Sequence, residues 1–106
     1  MLKIMFLVKR KATLDKDAFS KYWREAHAPI AGRIPGLRKY IQHHVVSGVG
    51  GATPPFDGIA EMWYDNGAAL ENAMATPEGQ AAQADAEKCM DLESMLVMNV
   101  EQTAVI

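Results

Sequence analysis

The order of strand-like and helix-like segments constrains the fold of this chain more than any other feature of its sequence. Four short apolar segments have the character of strands: Leu2–Lys9, Leu37–Val46, Gly58–Tyr64 and Ser94–Ala104. A segment with helical character follows the first and the third of them. The order β-α-β-β-α-β predicts an α+β fold of the ferredoxin-like type, in which helices cover one face of a four-stranded antiparallel sheet.

The first helix is predicted by apolar residues that recur at helical spacing. It is expected to begin near Thr13 or Asp15, because either side chain can accept hydrogen bonds from the free amides of a first helical turn. The apolar stripe that follows consists of Phe19, Tyr22, Trp23, Ala26 and Ile30. Pro29 is expected to end or restart the helix near His27, since its ring conflicts with a continuing helical ladder.

The second helical region is predicted from about Ala68, with a break or a new cap at Thr76-Pro77. The alanine-rich segment Gln80–Met90 has high helix propensity. Gly48–Pro55 is rich in glycine and proline and is expected to be a loop.

Length, charge and cysteine content restrict the class of protein. A chain of 106 residues is expected to form one domain over residues 1–106. Its net charge of −2 argues against a nucleic-acid partner, which needs clustered Lys and Arg. The apolar segment Met1–Val8 is too short to span a membrane and lacks the charge order of a signal peptide. Because the single cysteine, Cys89, suits a reducing compartment, we expect a cytoplasmic protein.

The strands carry apolar residues on both faces, and this pattern predicts a partner. In the first strand Ile4 and Phe6 point to one face, whereas Met5 and Leu7 point to the other. Helices can cover only one face of the sheet, so a second copy packed face to face is the simplest cover for the other. The sequence therefore predicts a homodimer.

His27 is the first candidate for chemistry, because it continues the apolar stripe at the end of the first helix. An imidazole in this place can act as a general acid–base, or it can be a core or cap residue that holds the helix end. The sequence leaves both interpretations open.

Tyr40, Gln42 and His44 share one face of the second predicted strand. One interpretation is that this face lines a pocket opposite Tyr22, Trp23 and His27, which would suit a planar organic ligand. The other is that Tyr40 belongs to the core while Gln42 and His44 are solvated near the strand end.

Glu61 is unusual in an otherwise apolar strand and needs a partner if it is buried. Either a basic residue across the dimer or a substrate would serve, and a structural role is favoured. His43 points away from the pocket face and is expected at the surface or an interface. The histidines and Cys89 lack zinc-site spacing, and no glycine loop precedes a helix, so neither a metal nor a cofactor is predicted.

Three segments together resemble the EthD family, which is named from a protein required for bacterial ethyl tert-butyl ether degradation. They are Phe19–Ile30 (FSKYWREAHAPI), Ile34–Tyr40 (IPGLRKY) and Ala60–Tyr64 (AEMWY), and the resemblance spans nearly the whole chain. It implies a dimeric α/β barrel with a pocket between helix and sheet in each subunit. Members and fold neighbours include lactone isomerases, polyketide cyclases, dehydratases and cofactor-free oxygenases.

The resemblance implies that the helix histidine is His27 and that the strand tyrosine after the Pro-Gly turn is Tyr40. His27 would move a proton on an aromatic, lactone or polyketide-like substrate, and Tyr40 would orient or polarise its oxygen. The residues expected to contact this small hydrophobic or aromatic metabolite are Phe6, Tyr22, Trp23, Gln42, His44 and Met62. Some lactone-isomerising members carry a cysteine where this chain has Met62, which cannot donate a proton. The alternative is a non-catalytic, ligand-binding or accessory dimer that supports a partner oxidative system.

Overall fold

The chain folds into one antiparallel sheet with helices on one face, in a computed structural model that describes residues 1–106. Its elements are β1 (Leu2–Arg10), α1 (Lys16–Tyr22), a π-helical turn (Trp23–His27), α2 (Ala28–Ala31), β2 (Lys39–His44), a 3-10 turn (Val49–Gly51), β3 (Gly58–Tyr64), α3 (Gly67–Ala75), α4 (Pro77–Ala86) and β4 (Met90–Val100). The predicted α+β, ferredoxin-like fold is confirmed. None of the helices is long and apolar enough to cross a membrane.

The strand order in the sheet is β2-β3-β1-β4, so the first and third strands form its centre. The pairing register assigns the side chains to faces, because successive residues of a strand point to opposite sides. Ile4 pairs with Met62, and Tyr40 pairs with Met62 from the other side. These residues share the face that the helices cover, and there Ile4, Met62 and Tyr64 are buried.

Side-chain caps fix the starts of three helices. Asp15 accepts from the Ala18 amide at 2.8 Å, Asn66 from the Ala69 amide at 2.8 Å, and Thr76 from the Gly79 amide at 3.0 Å. At the junction between α3 and α4 the two helices approach very closely. A Cβ atom on Gly79 would lie 2.0 Å from the carbonyl oxygen of Ala73, so the packing there requires glycine.

The helical conformation does not end at His27 but continues to Ala31 through a change of hydrogen-bond pattern. The Ala28 amide donates to the carbonyl oxygen of Trp23, five residues earlier, and the chain then resumes an α-helical turn. Pro29 follows this wide turn, so its missing N–H falls where the ladder is already irregular. The predicted restart near His27 is therefore a π-helical turn, a feature that often marks functional sites.

Two predicted strands and one predicted helix have different bounds in the structure because pairing partners decide where strands end. The second strand is limited to Lys39–His44, since its partner β3 spans only Gly58–Tyr64. The last strand ends at Val100 rather than Ala104, because Val100 is paired with Lys3 near the start of β1. It also begins at Met90, which pairs with Arg10, so the helix predicted over Gln80–Met90 ends at Ala86.

Candidate functional site

A cavity of about 240 Å³ lies between the helix-covered face of the sheet and α4. Its walls come from the sheet, the π-helical turn, both later helices and the start of β4. Thirteen of its sixteen lining residues are hydrophobic. The lining consists of Phe6, Val8, Trp23, His27, Ala31, Tyr40, Ala60, Met62, Met74, Gly79, Ala82, Gln83, Ala86, Met90, Leu92 and Met95. A concave apolar space with few polar groups is the usual form of a small-molecule site.

His27 is held in this wall by a buried carboxylate from another helix. Its Nδ1 atom lies 2.8 Å from Oδ2 of Asp85 in α4, and both residues are only 5% exposed. An ionised carboxylate can only accept, so Nδ1 carries the proton of this bond. The lone pair of a neutral His27 is therefore on Nε2, whereas Nδ1 is the ring atom that bonds to the protein.

Asp85 also receives a second hydrogen bond, from the hydroxyl of Tyr22 to Oδ1 at 2.7 Å. That bond is the largest cause that raises the pKa of Tyr22 to about 12, so the phenol stays protonated as a donor. Burial opposes ionisation of Asp85, but the bonds from Tyr22 and His27 outweigh it and lower the pKa of this carboxyl group. Asp85 is therefore an ionised acceptor whose two oxygens are both occupied.

Tyr40 places a second polar group in the cavity wall. Its hydroxyl oxygen accepts a hydrogen bond from Nε2 of Gln42 at 2.8 Å, and the same amide group donates to the carbonyl oxygen of Trp23 at 2.9 Å. Burial is the main reason that the pKa of Tyr40 is raised. Tyr40 is the acceptor in the bond with Gln42, so this bond does not use the phenol proton. That proton can therefore be donated to a ligand oxygen.

Comparison with known proteins assigns the family. Residues 11–93 match the EthD domain. The chain belongs to the EthD family. An ethyl tert-butyl ether degradation (EthD) family protein from Bacillus halodurans is 31% identical, with a TM-score of 0.79 over 97% of this chain and 100% of that one.

Two further proteins are similar to this EthD-family chain. An uncharacterized 11.0 kDa protein from the thcB–thcC intergenic region of Rhodococcus erythropolis is 30% identical over 71 residues, which are 67% of this chain and 68% of that protein. A dimeric protein of unknown function with a ferredoxin-like fold, from Bacteroides fragilis, is 18% identical. It has a TM-score of 0.69 over 95% of each chain, and that likeness shows the fold alone.

The structure brings five of the predicted site residues of this EthD protein to one cavity and leaves three outside it. The five that line the cavity are Phe6, Trp23, His27, Tyr40 and Met62. Tyr22 lies behind His27, where its hydroxyl is engaged by Asp85. Gln42 and His44 lie beyond the cavity along β2, because their side chains are occupied by Tyr40 and by the Trp23 ring. Tyr22, Gln42 and His44 therefore support the cavity wall rather than form it, and their contact with a ligand stays a prediction.

His44 packs against the indole of Trp23, with ring centroids 4.9 Å apart, and its Nε2 lies 3.1 Å from Oε1 of Gln42. Burial, followed by the charge of Arg24, lowers the pKa of His44, which disfavours its charged form. This histidine is therefore part of the packing behind the Trp23 wall.

Asp85 is the site residue that sequence reasoning missed. It lies in the alanine-rich helix, three residues after Ala82 and four before Cys89, and all three residues are buried. One carboxylate on an otherwise small, apolar stripe was the available signal, since a buried carboxylate requires partners. Cys89 itself is fully buried, and burial raises the pKa of its thiol to about 11, so it is an unreactive packing residue. No cluster of three or more His, Cys, Asp or Glu side chains could hold a metal ion.

The other face of the sheet is not covered by helices and carries a charged cluster. Glu61 is bonded to Lys3 and lies 2.6 Å from Nε2 of His43, and these bonds, led by that from Lys3, lower its pKa. The ammonium groups of Lys3 and Lys39 each lie 4.9 Å from the ring centroid of Trp63. Glu61 thus has basic partners within its own chain, and no partner across a dimer is needed to satisfy it.

Asp85→Asn is expected to destabilise the protein at neutral pH by about 1.5–3 kcal/mol, because it removes a charged acceptor of two hydrogen bonds. The pKa of Asp85 is lower in the folded protein, so its contribution is present above the unfolded value, near 4, and is lost as the pH falls through the folded value. The variant should therefore lose less stability than the wild type between pH 5 and pH 3 (roughly the range of carboxyl titration). Urea unfolding at several pH values measures this effect, with Asp17→Asn on the exposed face of α1 as the control. An acid dependence identical to that of the wild type would contradict it.

Proposed function

We propose that this EthD-family protein is a small cofactor-independent enzyme that transfers a proton on an apolar substrate bound in the cavity. His27 acts as the general base, and Tyr40 donates a hydrogen bond to the substrate oxygen. The observation that carries the proposal is the buried pair of His27 and Asp85, which leaves a basic Nε2 atom in an apolar wall. Because Asp85 engages Nδ1, the ring is oriented so that Nε2 is the atom that can take a proton from a ligand.

The chemistry follows from the protonation states of the three groups. His27 Nε2 takes a proton from a carbon or oxygen of the substrate, and the electron pair left behind moves onto the substrate oxygen as an enolate or phenolate. The resulting imidazolium is stabilised by the ionised Asp85, and the oxyanion by the Tyr40 hydroxyl. Return of the proton to another atom completes an isomerisation. In a cyclisation the enolate carbon would first add to a second carbonyl group of the substrate, whose oxygen would then take the proton. In a cofactor-free oxygenase, deprotonation would come first, and molecular oxygen would be the co-reactant.

Deuterium incorporation tests the proposal directly. The wild-type protein in D₂O is offered two neutral enolisable probes, phenylacetone and α-angelica lactone. We expect proton NMR to show exchange of at least one probe above the buffer rate, with saturation as the probe concentration rises. Exchange of no probe, or exchange that rises linearly without saturation, would contradict an enzyme that binds and deprotonates its ligand.

The second candidate is a non-catalytic carrier or accessory protein, and the apolar lining favours it. An apolar cavity binds a hydrophobic metabolite without needing a base. The two candidates differ in what they require of His27: a carrier that loses it changes in affinity, whereas an enzyme loses turnover and keeps much of its binding.

We also propose that the protein is a homodimer that buries the uncovered face of the sheet. This face carries partly exposed apolar side chains on three strands, among them Leu7, Ile59 and Leu96, which the register places side by side. Such a surface is larger than scattered exposed residues and normally has a partner. The dimeric relative from Bacteroides fragilis, which shares the fold, supports this arrangement.

Leu96→Asp is expected to convert the dimer to a monomer. The side chain is 49% exposed in the isolated chain, so the change puts a charge into the interface without emptying the core. Sedimentation velocity measures the mass of the variant and of the control Val49→Asp, which lies 97% exposed in the loop after β2. The dimer proposal fails if the wild type is monomeric or if the two variants dissociate equally.

A further inference from the structure

We infer that the cavity selects an uncharged molecule with a single ring and discriminates against carboxylates of the same shape. This inference rests on the proposed function for the placement of the reacting oxygen near Tyr40 and of the acidic proton near His27. The inference adds a preference for the charge and the size of the substrate, and neither Tyr40 nor His27 determines these two properties.

The composition of the lining determines which ligand charge the cavity prefers. No Lys, Arg, Asp or Glu side chain is among the sixteen lining residues. The nearest carboxylate, Asp85, is negative and lies behind His27, and the Lys88 ammonium 3.8 Å from it is on a side chain that is 69% exposed. A bound carboxylate would thus lose its water without a Lys or Arg partner and would face Asp85 across the imidazole ring. A neutral carbonyl or phenol loses much less and can accept from Tyr40.

The cavity volume determines which ligand size fits best. A volume of about 240 Å³ is at the small end for ligand sites. An apolar protein cavity of ~150 Å³ binds benzene, which has six non-hydrogen atoms, so in proportion about 240 Å³ accommodates roughly ten such atoms. That is the size of a single ring with a short substituent, and it is smaller than a fused tricyclic molecule.

The preference for a ring comes from the side chains around the space. Four of the seven methionines line it, at positions Met62, Met74, Met90 and Met95, together with the rings of Phe6 and Trp23. Thioether sulfur makes favourable contacts with aromatic rings, and methionine adapts its shape to them. The walls therefore match a flat, polarisable ligand better than a branched aliphatic one.

The opening of the cavity identifies where its charge preference can be changed. Gln83 and Leu92 are the exposed members of the lining, so the mouth lies between α4 and the start of β4. Nε2 of Gln83 donates to the carbonyl oxygens of Gly79 at 3.1 Å and Met74 at 3.3 Å. Gln83→Arg puts a cation at the mouth of the cavity, and the substituted residue is exposed and not part of the core.

Three probes of one shape test the inference by calorimetric titration at pH 7.5: phenylacetamide, phenylacetone and phenylacetate, each with about ten non-hydrogen atoms, near the upper bound set by the volume. We expect the two neutral probes to bind the wild type at least ~10-fold more tightly than phenylacetate, because the anion is desolvated without a partner. In Gln83→Arg the affinity for phenylacetate should rise relative to that for phenylacetamide, because only the anion gains a partner charge. Ala86→Phe, which narrows the cavity from a half-buried position, should weaken all three.

Binding of phenylacetate as tightly as phenylacetamide overturns the inference, and so does the absence of binding by both neutral probes. Tighter binding of 9-anthrylacetamide than of phenylacetamide overturns the limit on size. The result is separate from that for catalysis: neutral probes that bind but exchange no deuterium would contradict the proposed function and leave the selectivity standing. Saturable deuterium exchange together with equal affinity for phenylacetate and phenylacetamide would support the proposed function and contradict the selectivity.

Discussion

His27→Gln is expected to lower the rate of deuterium exchange by about 10²–10⁴-fold, the usual contribution of a positioned general base. Glutamine can donate a hydrogen bond to Asp85 and so fills the same place, but its amide cannot accept a proton from the substrate. The binding of phenylacetamide should be largely retained, because most of the lining is apolar and unchanged. Proton NMR of the exchange reaction and calorimetric titration measure the two quantities on the same preparation.

The matched control for this variant is His43→Gln, which changes the same residue type on the uncovered face of the sheet. His43 lies beside Glu61 and contributes nothing to the cavity, so its variant should exchange the probe at the wild-type rate. If both variants lose exchange equally, the loss reports on folding or assembly rather than on the base. If His27→Gln loses affinity in proportion to exchange, the carrier function is favoured instead.

Sequence reasoning succeeded where a local pattern is enough and failed where distant segments meet. The stripe that contains Phe19 and Trp23 predicts a helix that packs on the sheet, and both residues are fully buried. The π-helical turn was not predicted, because a single shift in hydrogen bonding leaves the spacing of the apolar residues almost unchanged. Pro29 indicated the place of the irregularity but not its form.

The site itself depends on a contact that no local pattern contains. His27 and Asp85 are 58 residues apart in sequence, and only the packing of α4 against the π-helical turn brings them together. The two-residue period of β2 correctly placed Tyr40, Gln42 and His44 on one face. It did not show that the cavity ends at Tyr40, because Trp23 engages the other two: its carbonyl oxygen accepts from Gln42 and its indole packs on His44.

Trp23→Ala is expected to lower the free energy of unfolding by about 3–5 kcal/mol, because it empties a fully buried site. The indole stacks on Phe19 at 5.4 Å between ring centroids and also lines the ligand cavity, so its loss joins a new void to the existing one. Urea unfolding followed by circular dichroism measures the change, and Trp23→Phe should recover part of it. A loss below about 1 kcal/mol, typical of surface substitutions, would contradict the packing seen around this ring.

Gly58 provides a sharper test of the same contact, because the backbone of β3 packs directly on the indole. A Cβ atom on Gly58 would lie 2.5 Å from Cζ3 of Trp23, so Gly58→Ala should destabilise the wild type by about 1–3 kcal/mol. In the Trp23→Ala background the added methyl group enters the space that the indole has left. The destabilisation caused by Gly58→Ala should therefore become smaller there or turn into a stabilisation. A double-mutant cycle from four unfolding curves measures this coupling. Additive effects of the two substitutions would mean that the indole does not press against β3 and that Trp23 is held by its other contacts.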